Sequence, residues 1–149
     1  MSVDVEVEAV IDRPVEVVSS FAGDPGNAPR WYANIRSVVW QTPPPVVVGS
    51  RMDFVARFLG RTLEYTYEVV ELEPGMRLVM RTADGPFPME TTYTWRPAGD
   101  GSTRMTLRNR GTPSGFARLT SSMMQSAMRR AMTKDLAALA RVLERDEDA

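Results

Sequence analysis

Cysteine and histidine are both absent from this chain, and lysine occurs once, as Lys134. Without thiols there are no disulfides, no thiolate nucleophiles and no Cys/His zinc sites. Without imidazole, no side chain titrates near neutrality in its ordinary state. Any acid–base chemistry therefore falls to carboxylates, tyrosines and bound water, and no metal or cofactor is expected. No apolar run approaches the roughly 20 residues of a membrane span, so stable membrane insertion is not expected. Nor does a basic segment followed by an apolar stretch open the chain, which makes the cytoplasm the expected location. An excess of charge of one sign is lacking too, the formal net charge being −1. Phosphate recognition needs a clustered basic surplus, so nucleic acid is not an expected partner.

What remains is an ordinary globular composition, with 43% hydrophobic and 25% charged residues. A chain of 149 residues is expected to form one domain, 1–149. A domain of that size buries roughly 70% of its unfolded-chain surface. No repeat, linker or low-complexity segment divides it. Whether it is a monomer or a homodimer stays open.

The opening Val3-Asp4-Val5-Glu6-Val7-Glu8-Ala9 alternates strictly and predicts a strand to about Ile11. Asp12-Arg13-Pro14 then starts a short helix, with Asp12 as N-cap, Pro14 in the first turn and Glu16 near the positive end of the dipole. That helix ends near Ala22-Gly23. The breaker cluster Asp24-Pro25-Gly26-Asn27 separates it from a second short helix around Ala28 to Tyr32. Strands are expected at Ile35 to Gln41, Arg51 to Leu59, Arg61 to Glu71, Arg77 to Thr82, Met89 to Arg96 and Ser102 to Arg110. Pro43-Pro44-Pro45 reads as a rigid loop. A last helix is expected from Phe116 to Glu144, followed by a charged tail to Asp148 that frays.

Period-2 counting sorts the strand residues onto two faces. Met52, Phe54, Ala56, Phe58, Leu63, Tyr65, Tyr67, Val69, Leu78, Met80, Thr91, Tyr93, Trp95, Met105, Leu107 and Asn109 share one. Mixed charges occupy the other, as in an antiparallel sheet with one wet face. Cross-strand ion pairs are the expected use of those charges, with an anion site at Arg104, Arg108 and Arg110 as the alternative. On the inner face the hydroxyls and the Asn109 amide each need a partner, a water or a ligand. For Tyr65, Tyr67 and Tyr93 a rim position in contact with water and a pocket position are both open. Asn109 is expected in the pocket.

The last helix carries a stripe of Phe116, Leu119, Thr120, Met123, Met124, Ala127, Met128 and Ala131 that drifts to Met132, Leu136, Leu139, Val142 and Leu143. Its first half is rich in Met, Ala, Ser and Gln. Methionine adapts to irregular space, which suits a binding surface as well as a core. Asp135 falls near the same stripe. Buried, it would have a raised pKa and exchange protons. A rim position paired to an arginine is the expected placement.

Several segments together resemble a known superfamily. They are Ile11-Asp12-Arg13-Pro14-Val15-Glu16-Val17, Pro29-Arg30-Trp31 leading to Ile35-Arg36-Ser37-Val38, the run from Tyr67 to Leu78, and the run from Lys134 to Glu144. The chain resembles the START-related, Bet v 1-like helix-grip proteins (SRPBCC) over nearly its whole length, and among them the bacterial polyketide cyclase/dehydrase-type single-domain proteins. The resemblance implies an α+β fold in which a seven-stranded antiparallel sheet grips the last helix, with two short helices after the first strand and a cavity between sheet and helix. Members bind apolar ligands such as lipids, sterols or polyketides, and some cyclise or dehydrate polyketide chains. Members that act on polyketides use arginine, tyrosine, tryptophan, serine or histidine side chains in the pocket. This chain has no histidine, and its strand arginines sort mostly to the outer face.

The leading expectation is a binding or carrier module for a small hydrophobic, lipid-like or polyketide-like ligand. Its cavity would be lined by Trp31, Phe54, Phe58, Tyr65, Tyr67, Phe87, Tyr93, Asn109, Met124 and Met128. The alternative is a polyketide cyclase, aromatase or dehydratase working in the same cavity, with Asp135, Tyr65 and Tyr93 as catalytic candidates. A protein-interaction domain is a third reading. No exposed aromatic cluster or strong charge patch in the sequence supports it.

Overall fold

The alternation of the first segment is realised in the computed structural model as β1 (Val3–Ile11). There Val3, Val5, Val7 and Ile11 are buried, while Asp4, Glu6 and Glu8 are exposed. The structure describes residues 1–116 and 118–147. After β1 come α1 (Val15–Ala22), a 3-10 helix (Pro25–Arg30), β2 (Ile35–Trp40), β3 (Arg51–Phe58), β4 (Arg61–Glu73), β5 (Arg77–Asp84), β6 (Met89–Pro97), β7 (Thr103–Gly111) and α2 (Ser121–Glu147). The seven strands form one antiparallel sheet in the order β1-β7-β6-β5-β4-β3-β2. Register shifts at Val69/Glu71 in β4 and Ile35/Ser37 in β2 are irregularities of the kind that bend a sheet. The α+β helix-grip architecture expected from the sequence is the one observed.

Two helix starts differ from expectation. Pro14, not Asp12, occupies the N-cap of α1 and makes no side-chain cap bond. The Asp12 carboxylate instead accepts from Ser102 Oγ at 3.0 Å, tying the end of β1 to the turn between β6 and β7. The second short helix is the 3-10 helix, which starts earlier than expected because the Asp24 carboxylate accepts from Gly26 N at 2.9 Å.

The last helix begins at Ser121 rather than Phe116. Thr120 caps it, accepting from Met123 N through Oγ1 at 3.1 Å. The helix runs through Glu147, so Glu144 is no loose tail; its carboxylate accepts from Asp12 N at 3.0 Å. Asp148, also expected in that tail, lies outside the described residues.

Along its buried face α2 presents Met124, Met128, Met132, Leu136, Leu139 and Leu143 to the sheet. Met123, expected in that stripe, is 50% exposed. The polar residues of the first half serve the sheet's edge. Ser121 Oγ donates to Ser2 O at 2.7 Å, Gln125 Oε1 accepts from Asp4 N at 3.1 Å, and Arg129 Nη1 donates to Glu6 O at 2.9 Å. Spaced four apart, these three lie on one side of the helix and satisfy backbone groups that an edge strand leaves open.

On the outer face the charges pair across strands. Arg104 meets Glu8 at 2.9 Å, Arg108 meets Asp4 at 2.6 Å, and Arg110 and Arg81 both meet Glu90 at 2.8 Å. All three arginines of the alternative anion site are thus held by carboxylates, and the pairing expectation stands. Such exposed pairs contribute about 0–1 kcal/mol each.

Candidate ligand cavity

Helix α2 comes closest to the sheet along β1. Toward β3, β4, β5 and β6 the space is taken up by large side chains and by a cavity of about 150 Å³. Period-2 alternation on these four strands turns Phe54, Phe58, Tyr65, Tyr67, Met80 and Tyr93 inward, and α2 closes the far side with Met124, Met128 and Met132. Met89, at the start of β6, makes a fifth methionine in the wall.

Nine of the ten residues expected at the site lie in this lining: Phe54, Phe58, Tyr65, Tyr67, Phe87, Tyr93, Asn109, Met124 and Met128. Trp31 does not. It is 2% exposed and packs behind the wall, its ring 4.1 Å from that of Tyr32 and 5.8 Å from that of Tyr93. Its indole N–H has no hydrogen-bond partner among the described residues. Tyr32 takes the lining position instead, and the sequence reading missed it. The two neighbouring rings pack on each other, with Tyr32 on the cavity side and Trp31 buried against it.

Besides Asn34 and Thr82, whose hydroxyl bonds the Met89 backbone, the wall carries three sets of polar groups. Tyr67 OH lies 2.8 Å from Thr91 Oγ1, which donates to Asn109 Oδ1 at 2.6 Å. Since Thr91 spends its one proton on Asn109, Tyr67 donates to Thr91. Tyr32 OH and Tyr93 OH share a hydrogen bond of 2.7 Å. Asp135 Oδ1 accepts the backbone N–H of Ala33 at 3.0 Å. Asp135 is 3% exposed and borders the cavity, so the expected rim position paired to an arginine is not what the fold produces.

Burial pushes the Asp135 carboxyl up to about 6, against a smaller lowering by the Ala33 hydrogen bond. Burial likewise raises Tyr67 to about 12 and holds Tyr32, Tyr65 and Tyr93 well above the usual phenol range. At neutral pH these tyrosines are hydrogen-bonding groups and not bases. Of the three catalytic candidates, Asp135 alone titrates near neutrality.

One end of the cavity is lined by aromatic rings from the end of β3 and from two connections. Phe116, between β7 and α2, meets Phe58 and Phe87 edge-on at 6.3 Å each. The Arg61 guanidinium lies 5.4 Å from the Phe116 ring centre and donates to the Ser114 carbonyl. Gly115 makes this approach possible: its φ is +87°, and a Cβ there would fall on the guanidinium.

A family model described as "Polyketide cyclase / dehydrase and lipid transport" matches residues 2–144. The chain belongs to this family. Solved structures agree on the fold of this family member. A Thermus thermophilus protein superposes with a TM-score of 0.81 at 22% identity, covering 96% of this chain and 98% of its own. The Zhui aromatase/cyclase from a Streptomyces species gives 0.79 at 16% identity, covering 97% and 95%. A START superfamily protein from Mycobacterium smegmatis gives 0.83 at 14% identity, covering 95% and 97%. No curated protein sequence matches this family member. No described helix is long and apolar enough to cross a membrane.

Proposed function

We propose that this chain is a binding or carrier module for a small, largely apolar molecule held between the sheet and α2. The cavity wall carries the reading. Aromatic rings and methionines make up most of it, and two of its polar sets are occupied with internal hydrogen bonds. A wall that is apolar with a few oriented polar groups is how proteins hold small ligands. A cavity of about 150 Å³ admits one benzene-sized ring. A long lipid or a multi-ring polyketide would need the Phe116 end displaced.

Native mass spectrometry of the purified protein, followed by extraction of any bound molecule, tests this reading. One-ring apolar compounds such as propylbenzene are expected to bind by calorimetry. Met128→Trp fills the space at a cost of about 1–3 kcal/mol from overpacking and is expected to weaken that binding at least about tenfold, or 1.4 kcal/mol. A protein that carries nothing and also fails to bind the one-ring probes would overturn it.

One observation favours a second reading. Asp135 is a buried carboxyl in the cavity wall with its pKa raised toward neutrality. In a cyclase, aromatase or dehydratase of a polyketide-like substrate it would take a proton from the carbon beside a carbonyl. The family description includes such enzymes, and the Streptomyces neighbour is an aromatase/cyclase. The binding reading leads because no arginine or lysine borders the cavity among the described residues to stabilise the enolate that results. A pH–rate profile with an acidic limb that Asp135→Asn abolishes would favour the enzyme.

A further inference from the structure

Asp135 sits in the cavity wall without a counter-ion. Its Oδ1 accepts one backbone N–H, from Ala33, and its Oδ2 makes no hydrogen bond among the described residues. None of the described ion pairs includes it. The lining holds no arginine or lysine among the described residues, and the chain has no histidine. A carboxylate this deep in a protein is normally paired with a cation or bound to a metal.

The groups that face it are phenols. Tyr32, from the segment leading into β2, and Tyr93, from β6, share their hydrogen bond close enough to Asp135 to feel its charge, which adds to burial in raising both phenols. Tyr65 on β4 and Tyr67 beside it continue the aromatic wall, their rings 5.0 Å apart. One turn away on α2, Ala131, Met132, Ala138 and Leu139 carry no charge, and Lys134 is exposed to solvent. The described wall therefore offers a carboxylate, phenol lone pairs and electron-rich rings. Its lining offers no cationic group to an anion; Arg61, which lies against the Phe116 ring at one end, is outside the lining and donates to the Ser114 carbonyl.

We infer that the ligand of this cavity is a small organic cation: one aromatic ring bearing a primary ammonium, with the ammonium against Asp135 and the Tyr32–Tyr93 hydroxyl pair. The inference rests on the cavity being a ligand site, and it adds the sign of the ligand's charge. An ammonium has three donors, which match the unused Asp135 oxygen and the phenol oxygens. Tyrosine rings attract such a cation through their faces. The ring would occupy the apolar part of the cavity, against Phe54, Met80 and Met128. A carboxylate ligand of the same size would meet Asp135 as a like charge.

The test compares three probes of nearly equal size on the full chain: 2-phenylethylamine, propylbenzene and phenylacetate. By calorimetry at about pH 8 the amine is expected to bind at least about tenfold more tightly than propylbenzene, and phenylacetate more weakly than either. An aliphatic amine stays protonated below about pH 10, so its own charge is constant over the useful range. The amine's advantage should then shrink as pH falls through about 6, where Asp135 takes up its proton, while propylbenzene binding holds level. In Asp135→Asn the amine-to-hydrocarbon ratio should fall toward one, with circular dichroism checking the fold.

An amine no tighter than propylbenzene, a preference for phenylacetate, or an amine preference that survives in Asp135→Asn overturns the inference while the cavity reading stands. Failure of both amine and hydrocarbon to bind overturns the cavity reading and this inference with it.

Discussion

Asp135 accepts the backbone N–H of Ala33 at 3.0 Å, so a helix residue and the segment entering β2 are joined across the cavity wall. The carboxyl that makes this bond is also the one group of the wall that titrates near neutrality. Position and ionisation are therefore coupled at one side chain.

That coupling sets a pH dependence. Burial raises the folded-state Asp135 pKa to about 6, from roughly 3.9 in an unfolded chain. The protonated acid is the form the fold prefers. Its contribution to stability is full below about pH 4 and is lost as pH rises through about 6. Asn at this position keeps an acceptor oxygen but cannot ionise. Asp135→Asn should gain about 2–3 kcal/mol relative to wild type between about pH 4 and pH 7. Urea unfolding at three pH values checks it; a constant difference between the two proteins would mean an ordinary carboxyl.

The edge of β1 gives a second prediction. Asp4 N donates to Gln125 Oε1, so Gln125→Leu leaves that amide to water. The expected cost is about 0.5–1.5 kcal/mol. Hydrogen exchange should quicken at Asp4 while the Val5 amide, turned toward β7 by the strand's alternation, keeps its protection. Uniform exchange along β1 in both proteins would show that α2 does not seal the edge.

At the aromatic end of the cavity, Gly115→Ala places a Cβ where the Arg61 guanidinium lies, at a φ of +87°. We expect a loss of about 1–2 kcal/mol from the backbone alone. Arg61 should also leave Phe116, so that a bound one-ring probe dissociates faster in stopped-flow. An unchanged melting temperature and dissociation rate would remove Gly115 and Arg61 from the closure.

The sheet was legible because its period is two and one face is wet: Met52 through Asn109 alternate as the strands require. The three missing pieces are tertiary. Asp12 looks like a helix cap by local rules, yet Ser102 holds its carboxylate from a turn 90 residues away. Ser121 and Gln125 belong to the Met-, Ala-, Ser- and Gln-rich half of the last helix, and nothing local reveals that β1 lies beside them with open backbone groups. Asp135 reads as a rim residue because buried carboxylates are rare, and its partner is a backbone amide that carries no sequence signature. Nine of the ten expected residues do line the cavity: inward alternation brings Phe54, Phe58, Tyr65, Tyr67, Tyr93 and Asn109 to one space, and the helical stripe brings Met124 and Met128 to its far side. Trp31 and Tyr32 exchange roles because they lie in a short irregular segment where no periodicity decides.

Five methionines border the cavity, Met80, Met89, Met124, Met128 and Met132. Their thioethers let the wall adapt to a contour, and they are also the part of it open to oxidation. A sulfoxide at any of these positions puts a strong, fixed dipole into a space shaped for hydrocarbon. Lacking cysteine, this protein has no thiol to intercept an oxidant first. An oxidant that gains entry therefore writes its damage directly onto the recognition surface.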